Sequence, residues 1–207
     1  MLGQSTTERY FEDLFYFGVS YNMLLDTPND VKLQNLSYGI QVGLFRDIPL
    51  NKKGTHAIGL GLGYAINSYY SNLGAYKGSS LNLYELVPED VDYSRNKFAT
   101  HAVEVPIEFR WRNSTKEDYS FWRIYPGFKA SYVFYGLNKL VTDSGNAVFR
   151  NNDFRSLNYG ATLSVGYNTW NVNVYYGLNP MLNDSATIQG NPITMKPLRI
   201  GVIFYIL

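Results

Sequence analysis

Eight segments of this chain, each roughly ten residues long, set apolar side chains against small or polar ones in strict alternation. A period of two belongs to a strand with two unlike faces, because successive side chains point to opposite sides. The segments fall near 11–23, 36–46, 57–68, 101–112, 120–134, 156–168, 171–179 and 197–207. The cleanest is the third, where Ile58, Leu60, Leu62, Tyr64 and Ile66 alternate with Gly59, Gly61, Gly63, Ala65 and Asn67. In the fourth, Val103, Val105, Ile107, Phe109 and Trp111 oppose Glu104, Pro106, Glu108, Arg110 and Arg112. In the last, Ile200, Val202, Phe204 and Ile206 oppose Arg199, Gly201, Ile203 and Tyr205.

The connections between the segments alternate in length. Long polar ones lie near 24–35, 69–100, 135–155 and 180–196, and shorter ones near 47–56, 113–119 and 169–170. An even number of strands with long loops at one end and short turns at the other is the pattern of an antiparallel transmembrane β-barrel. The expectation is therefore an all-β, eight-stranded antiparallel barrel spanning residues 1–207 as one domain. Residues 1–10 would form a flexible leading segment, and both termini would be periplasmic.

Composition agrees. Aromatic residues make up 16% of the chain, with 19 Tyr and 12 Phe, while charged residues are only 17%, below the ~25% of soluble domains. Barrels place aromatic rings at both membrane interfaces. Trp111, Trp122 and Trp170 all fall at the short-turn end, as an interfacial girdle requires. No run of about 18 apolar residues is present, so a membrane-spanning helix is excluded. The start, Met1-Leu2-Gly3-Gln4, has no basic region and no apolar core. The reading is a mature form whose signal peptide is removed or replaced by a start codon, destined for the outer membrane of a Gram-negative bacterium.

A net charge of +1 gives no reason to expect nucleic acid. There is no cysteine, and hence no thiolate chemistry or disulfide framework. The two histidines, His56 and His101, lack the spacing of a catalytic triad or a metal cluster. His101, at the outer end of the fourth segment, is the one candidate base. The acidic stretch Glu85–Asp92 lacks the order of a calcium loop. No catalytic residue, metal or cofactor is expected, and the protein is read as a non-enzyme.

The most informative cluster is Glu104, Glu108, Arg110, Arg112, Arg123 and Lys129, all on the inward faces of the fourth and fifth segments. A small barrel is filled by its own side chains, and buried charges must be paired. The preferred register sets Glu108 opposite Arg123; the alternative sets Glu104 opposite Lys129 and Arg110 opposite Arg123. Pro106 and Pro126 lie inside predicted strands, so a bulge or a missing rung is expected near each.

The stretch Val103-Glu-Val-Pro-Ile-Glu-Phe109 resembles the mid-barrel strand of PorT-like outer-membrane barrels. Arg123-Ile-Tyr-Pro-Gly-Phe-Lys-Ala-Ser-Tyr132 and the closing Leu198–Leu207 are similar as well. The resemblance implies an eight-stranded barrel and, through the named member of that family, an association with type IX secretion and gliding. The expected role is a structural or accessory subunit of an outer-membrane secretion or assembly machine. Its partners would be outer-membrane lipid and other machine subunits. The alternatives are a lipid-modifying enzyme, a small-solute channel, or a stand-alone surface barrel that binds an external ligand.

Overall fold

The computed structural model describes residues 13–79, 81–113, 122–143, 145–167 and 170–206. The expected flexible segment 1–10 lies outside these residues, as does most of the turn near 113–119. Thirteen strands occur among the described residues: β1 (Asp13–Leu25), β2 (Tyr38–Pro49), β3 (His56–Tyr70), β4 (Leu73–Tyr76), β5 (Leu83–Leu86), β6 (Tyr93–Arg112), β7 (Trp122–Thr142), β8 (Gly145–Arg150), β9 (Leu157–Tyr167), β10 (Trp170–Gly177), β11 (Thr187–Ile188), β12 (Asn191–Pro192) and β13 (Lys196–Ile206).

Eight of them close into an antiparallel barrel in the order β6-β3-β2-β1-β13-β10-β9-β7, with β7 pairing back to β6. The first and last strands meet along a ladder that runs from Phe15↔Ile206 to Leu25↔Lys196. Both therefore reach the same, short-turn end of the barrel. Each of the eight alternating segments of the sequence is one of these strands.

The alternation is obeyed residue by residue. On the outer face Leu62 is 60% and Leu157 62% exposed, while on the inner face Arg110 is 0% and Glu104 1% exposed. A soluble fold does not leave a continuous girdle of Phe, Leu, Ile, Val and Tyr in water. Between Trp111 and His101 the strand β6 rises about 33 Å, or about 25 Å along the axis at a tilt of ~40°, the height of a membrane barrel's apolar band.

Both prolines interrupt a ladder without shifting it. Opposite Pro106, the β3–β6 pairing passes from Leu60↔Ile107 to Gly63↔Glu104 with the intervening rungs absent. Opposite Pro126, the β6–β7 pairing passes from Glu108↔Gly127 to Trp111↔Ile124 in the same way. Pro106 points inward and fits against Gly61, where a Cβ would stand 2.7 Å from its Cγ.

A true irregularity lies higher, between His101↔Tyr135 and Ala102↔Val133, where Phe134 is the extra residue. Below it the inward residues of β7 are odd-numbered, including Tyr125, Lys129 and Ser131; above it they are even-numbered, including Asn138 and Leu140. Here β6 and β7 run for 20 and 21 residues, against the ~9–11 a strand needs to cross a bilayer. Both reach beyond the segments expected from alternation and project past the barrel rim, where β8 adds to the upper part of β7.

The long connections are not open loops. They pack over the barrel mouth around Leu24, Val31, Tyr69, Leu73, Phe98, Phe154, Met181, Leu182, Ile193 and Met195. Above the apolar layer, Asp153 accepts hydrogen bonds from Tyr84 Oη (2.8 Å) and Asn82 Nδ2 (2.9 Å), and Asn151 Nδ2 donates to Asn138 Oδ1 (2.8 Å). Burial pushes the Tyr84 phenol above its ordinary range.

Candidate functional site

The interior is the candidate site, because it concentrates the charges that a lipid-facing wall cannot carry. Two layers are built there. In the middle of the barrel Glu104, on β6, lies 2.8 Å from Lys129 Nζ on β7 and 3.0 Å from Arg199 Nη1 on β13. Ser131 Oγ donates to the same carboxylate at 3.3 Å. Lys129 also donates to Gln41 Oε1 (2.7 Å), and Arg199 to Asn67 Oδ1 (3.2 Å). The Arg199 guanidinium stacks 3.9 Å from the Tyr175 ring centroid. One carboxylate thus holds two cations from two other walls.

The second layer lies toward the short-turn end. Arg110 Nη2 is 2.9 Å from Glu108 Oε2, and its Nη1 pairs with Asp47 on β2. Asp47 also takes Arg112 Nη2 at 3.3 Å, and Arg112 Nε donates to Gly54 O at 2.8 Å. The Arg110 guanidinium sits among Phe45 (4.1 Å), Tyr205 (4.8 Å) and Tyr125 (5.1 Å). Tyr205 Oη donates to Glu108 Oε1 at 3.1 Å. Such an arginine is held by charge-assisted hydrogen bonds and by the aromatic rings around it.

Glycines make room for these side chains. A Cβ at Gly59 would stand 2.6 Å from Arg110 Nε, and one at Gly63 only 1.8 Å from Tyr16 Oη. Two interior cavities, one beside Lys129, Tyr175 and Arg199 and one beside Tyr16, Glu108 and Lys129, each offer about 10 Å³, room for about a single water.

The register differs from both expectations. Glu108 faces Gly127, Glu104 faces Ser131, and Arg112 faces Arg123. The preferred Glu108–Arg123 pair is therefore not formed, and its premise fails too. Two arginines do stand face to face, because Arg112 is held by Asp47 and the Gly54 carbonyl. Glu104 does meet Lys129, but diagonally. Of the six expected residues, Glu104 and Lys129 share one layer, and Glu108, Arg110 and Arg112 the other. Arg123 lines the short-turn rim below them.

Two partners escaped the sequence reading. Asp47 was assigned to a turn near 47–56, but β2 continues to Pro49 and turns it inward. Arg199 was placed on an inward face without being linked to Glu104, since β6 and β13 share no ladder.

His101 and His56 point away from the interior. His101 Nδ1 lies 2.5 Å from Tyr64 Oη, in a cluster with Phe134 and Tyr135. His56 contacts Asn51 and Thr55 at the opposite end. The tryptophans gather at that same end: Trp122 lies 5.3 Å from Tyr167, Trp170 5.1 Å from Phe204, and Trp111 is opposite His56. Among the described residues no group of three or more His, Cys, Asp or Glu is arranged to hold a metal ion.

A family model described as an outer membrane protein beta-barrel domain matches residues 3–183. The chain belongs to that family. Among solved structures, Ail, the attachment invasion locus protein of Yersinia pestis, is similar over 93% of this chain and 97% of that one, at 11% identity and a TM-score of 0.42. No curated protein matches the sequence. In an outer-membrane barrel the apolar outer wall is the lipid contact, and the interior layers are enclosed within the membrane.

Proposed function

We propose that this outer-membrane barrel works through its surfaces and not through its lumen, as a structural or accessory subunit of a secretion or assembly machine in a Gram-negative outer membrane. The observation that carries the reading is the filled interior, in which Glu104 ties three walls, Asp47 joins β2 to β6, and the two interior cavities offer about 10 Å³ each. A lumen of that kind suits a rigid post better than a path for solute. The PorT-like resemblance of Val103–Phe109 supports the same role. The long-loop end is read as external and both termini as periplasmic, in keeping with the usual placement of long loops. Neither catalysis nor conduction is part of the proposed role.

Crosslinking in native membranes, followed by purification in mild detergent, tests this. Stoichiometric outer-membrane partners are expected, together with no single-channel current in a planar bilayer. A barrel that purifies alone and conducts would overturn the proposal. A stand-alone ligand-binding barrel is the second reading, favoured by the apolar Leu81 and Leu83, which stand exposed by the β4–β5 hairpin.

A further inference from the structure

The outer wall carries a cationic patch that has no ion pair among the described residues. Lys97 on β6 and Lys139 on β7 are directly opposed across the ladder. Both lie on the outward face, since their neighbours Phe98 and Asn138 are the buried ones. Like charges directly opposed on a sheet face are destabilising. Two arginines extend the patch. Arg95 lies on β6 opposite Val141, and Arg150 on β8 opposite Leu137. Arg150 donates to Phe134 O at 3.2 Å, and Lys97 lies 5.7 Å from the Tyr70 ring centroid. Among the described residues none of these four cations has an ion pair. Two other cations at the long-loop end are paired: Arg155 meets Asp184 at 2.5 Å and Lys196 meets Asp26 at 2.9 Å.

The position of the patch is specific. It lies just beyond the aromatic cluster of Tyr64, His101, Phe134 and Tyr135, about 10 Å further along the axis than His101. That is headgroup depth, where long basic side chains lie along apolar surface and reach toward phosphate. The same face presents Leu137, Val141 and Val148 between the cations, so it is apolar and basic together. The nearest acids along these strands, Asp92 and Asp143, lie outward of the lysines, at the far ends of the strands.

We propose that Lys97, Lys139, Arg95 and Arg150 form a binding site for the phosphates of an outer-leaflet glycolipid, with its acyl chains running down the wall past the His101 cluster. The inference rests on the long-loop end facing outward, as read above. The site would hold lipid at the one stretch of rim where β6, β7 and β8 project beyond the membrane.

The test uses the full chain in a neutral detergent, where membrane orientation does not enter. Retention of bis-phosphorylated lipid A is followed by native mass spectrometry. The intact protein should retain it, and Lys97→Gln with Lys139→Gln should weaken retention by at least about tenfold. Dephosphorylated lipid A should bind the intact protein as weakly as lipid A binds the double variant. Lys52→Gln with Lys53→Gln, in the short turn, should change nothing. Heat-modifiable migration verifies that each variant is folded, and the single change Lys139→Gln serves where the double variant is not. Undiminished retention by a folded variant, equal binding of the dephosphorylated lipid, or displacement by inorganic phosphate would each overturn the proposal. Tighter binding of phosphatidylglycerol than of lipid A would do so as well. The orientation itself is decided separately by protease access on intact cells, so the two failures can be told apart.

Discussion

Glu104 Oε1 and Arg199 Nη1 meet at 3.0 Å across the lumen, joining β6 to β13, which share no backbone ladder. With Lys129 as its second partner, this carboxylate is the only anion in the middle layer among the described contacts. Glu104→Gln keeps the shape but strands two buried cations. A loss of about 3–5 kcal/mol is expected in urea unfolding from lipid vesicles, the usual consequence of removing one partner of a buried pair. Replacing Glu104, Lys129 and Arg199 together by Met should cost much less than the single change. Equal losses would show that the layer is not coupled.

Gly63 lies beneath the Tyr16 phenol, and an added Cβ would also meet Val42 O at 2.7 Å. Gly63→Ala should destabilise the barrel by about 1–3 kcal/mol, the usual cost of overpacking. Tyr16→Phe should restore part of the loss and no more, because the backbone carbonyl stays in place. Complete restoration would place the whole conflict at the hydroxyl.

The register can be read chemically. Val103 faces Tyr132 on the outer wall, so cysteines at these two positions should form a disulfide under mild oxidation. Cysteines at Val103 and Phe128 should not, although the register preferred from charge would have set those positions opposite. Bridging of the second pair would mean that β6 and β7 slide.

Trypsin added to intact cells should cut after Lys77, which is exposed beyond β4, and spare Lys97, which is embedded in β6. Tyr84→Phe removes the hydroxyl that ties the β5 strand to Asp153 and should speed that cut severalfold. Cleavage confined to Lys52 and Lys53 would mean that the short turns face outward.

How far the sequence carried this fold depends on the kind of question. Alternation names a face, and it named the inward face of Glu104, Glu108, Arg110 and Lys129 correctly because lipid on one side and packed charge on the other leave no third option. It cannot name a register, since moving a strand by two residues keeps every face. Charge pairing between neighbouring strands was used to choose one, and it misled. In a narrow closed barrel a side chain reaches walls that are not its neighbours, so Arg110 on β6 found Asp47 on β2. The upper parts of β6 and β7 were missed because their surroundings change. Phe98 and Leu140 point inward there and pack under the cap, so apolar residues appear on both faces and the alternation fades. The bulge at Phe134 carries no sequence mark; Phe is as much at home in a regular strand.

The ladders are unequal in length, and that has a mechanical consequence. A closed cylinder yields first along the line with the fewest stitches. The seam between the first and last strands is fully stitched from Phe15↔Ile206 to Leu25↔Lys196. The prolines open short gaps on either flank of β6, but the ladders they interrupt are the longest in the wall. Among the described residues β10 and β13 share only the rungs from Asn171↔Ile203 to Tyr176↔Leu198. Under lateral strain this cylinder should part there, on the other flank of its last strand.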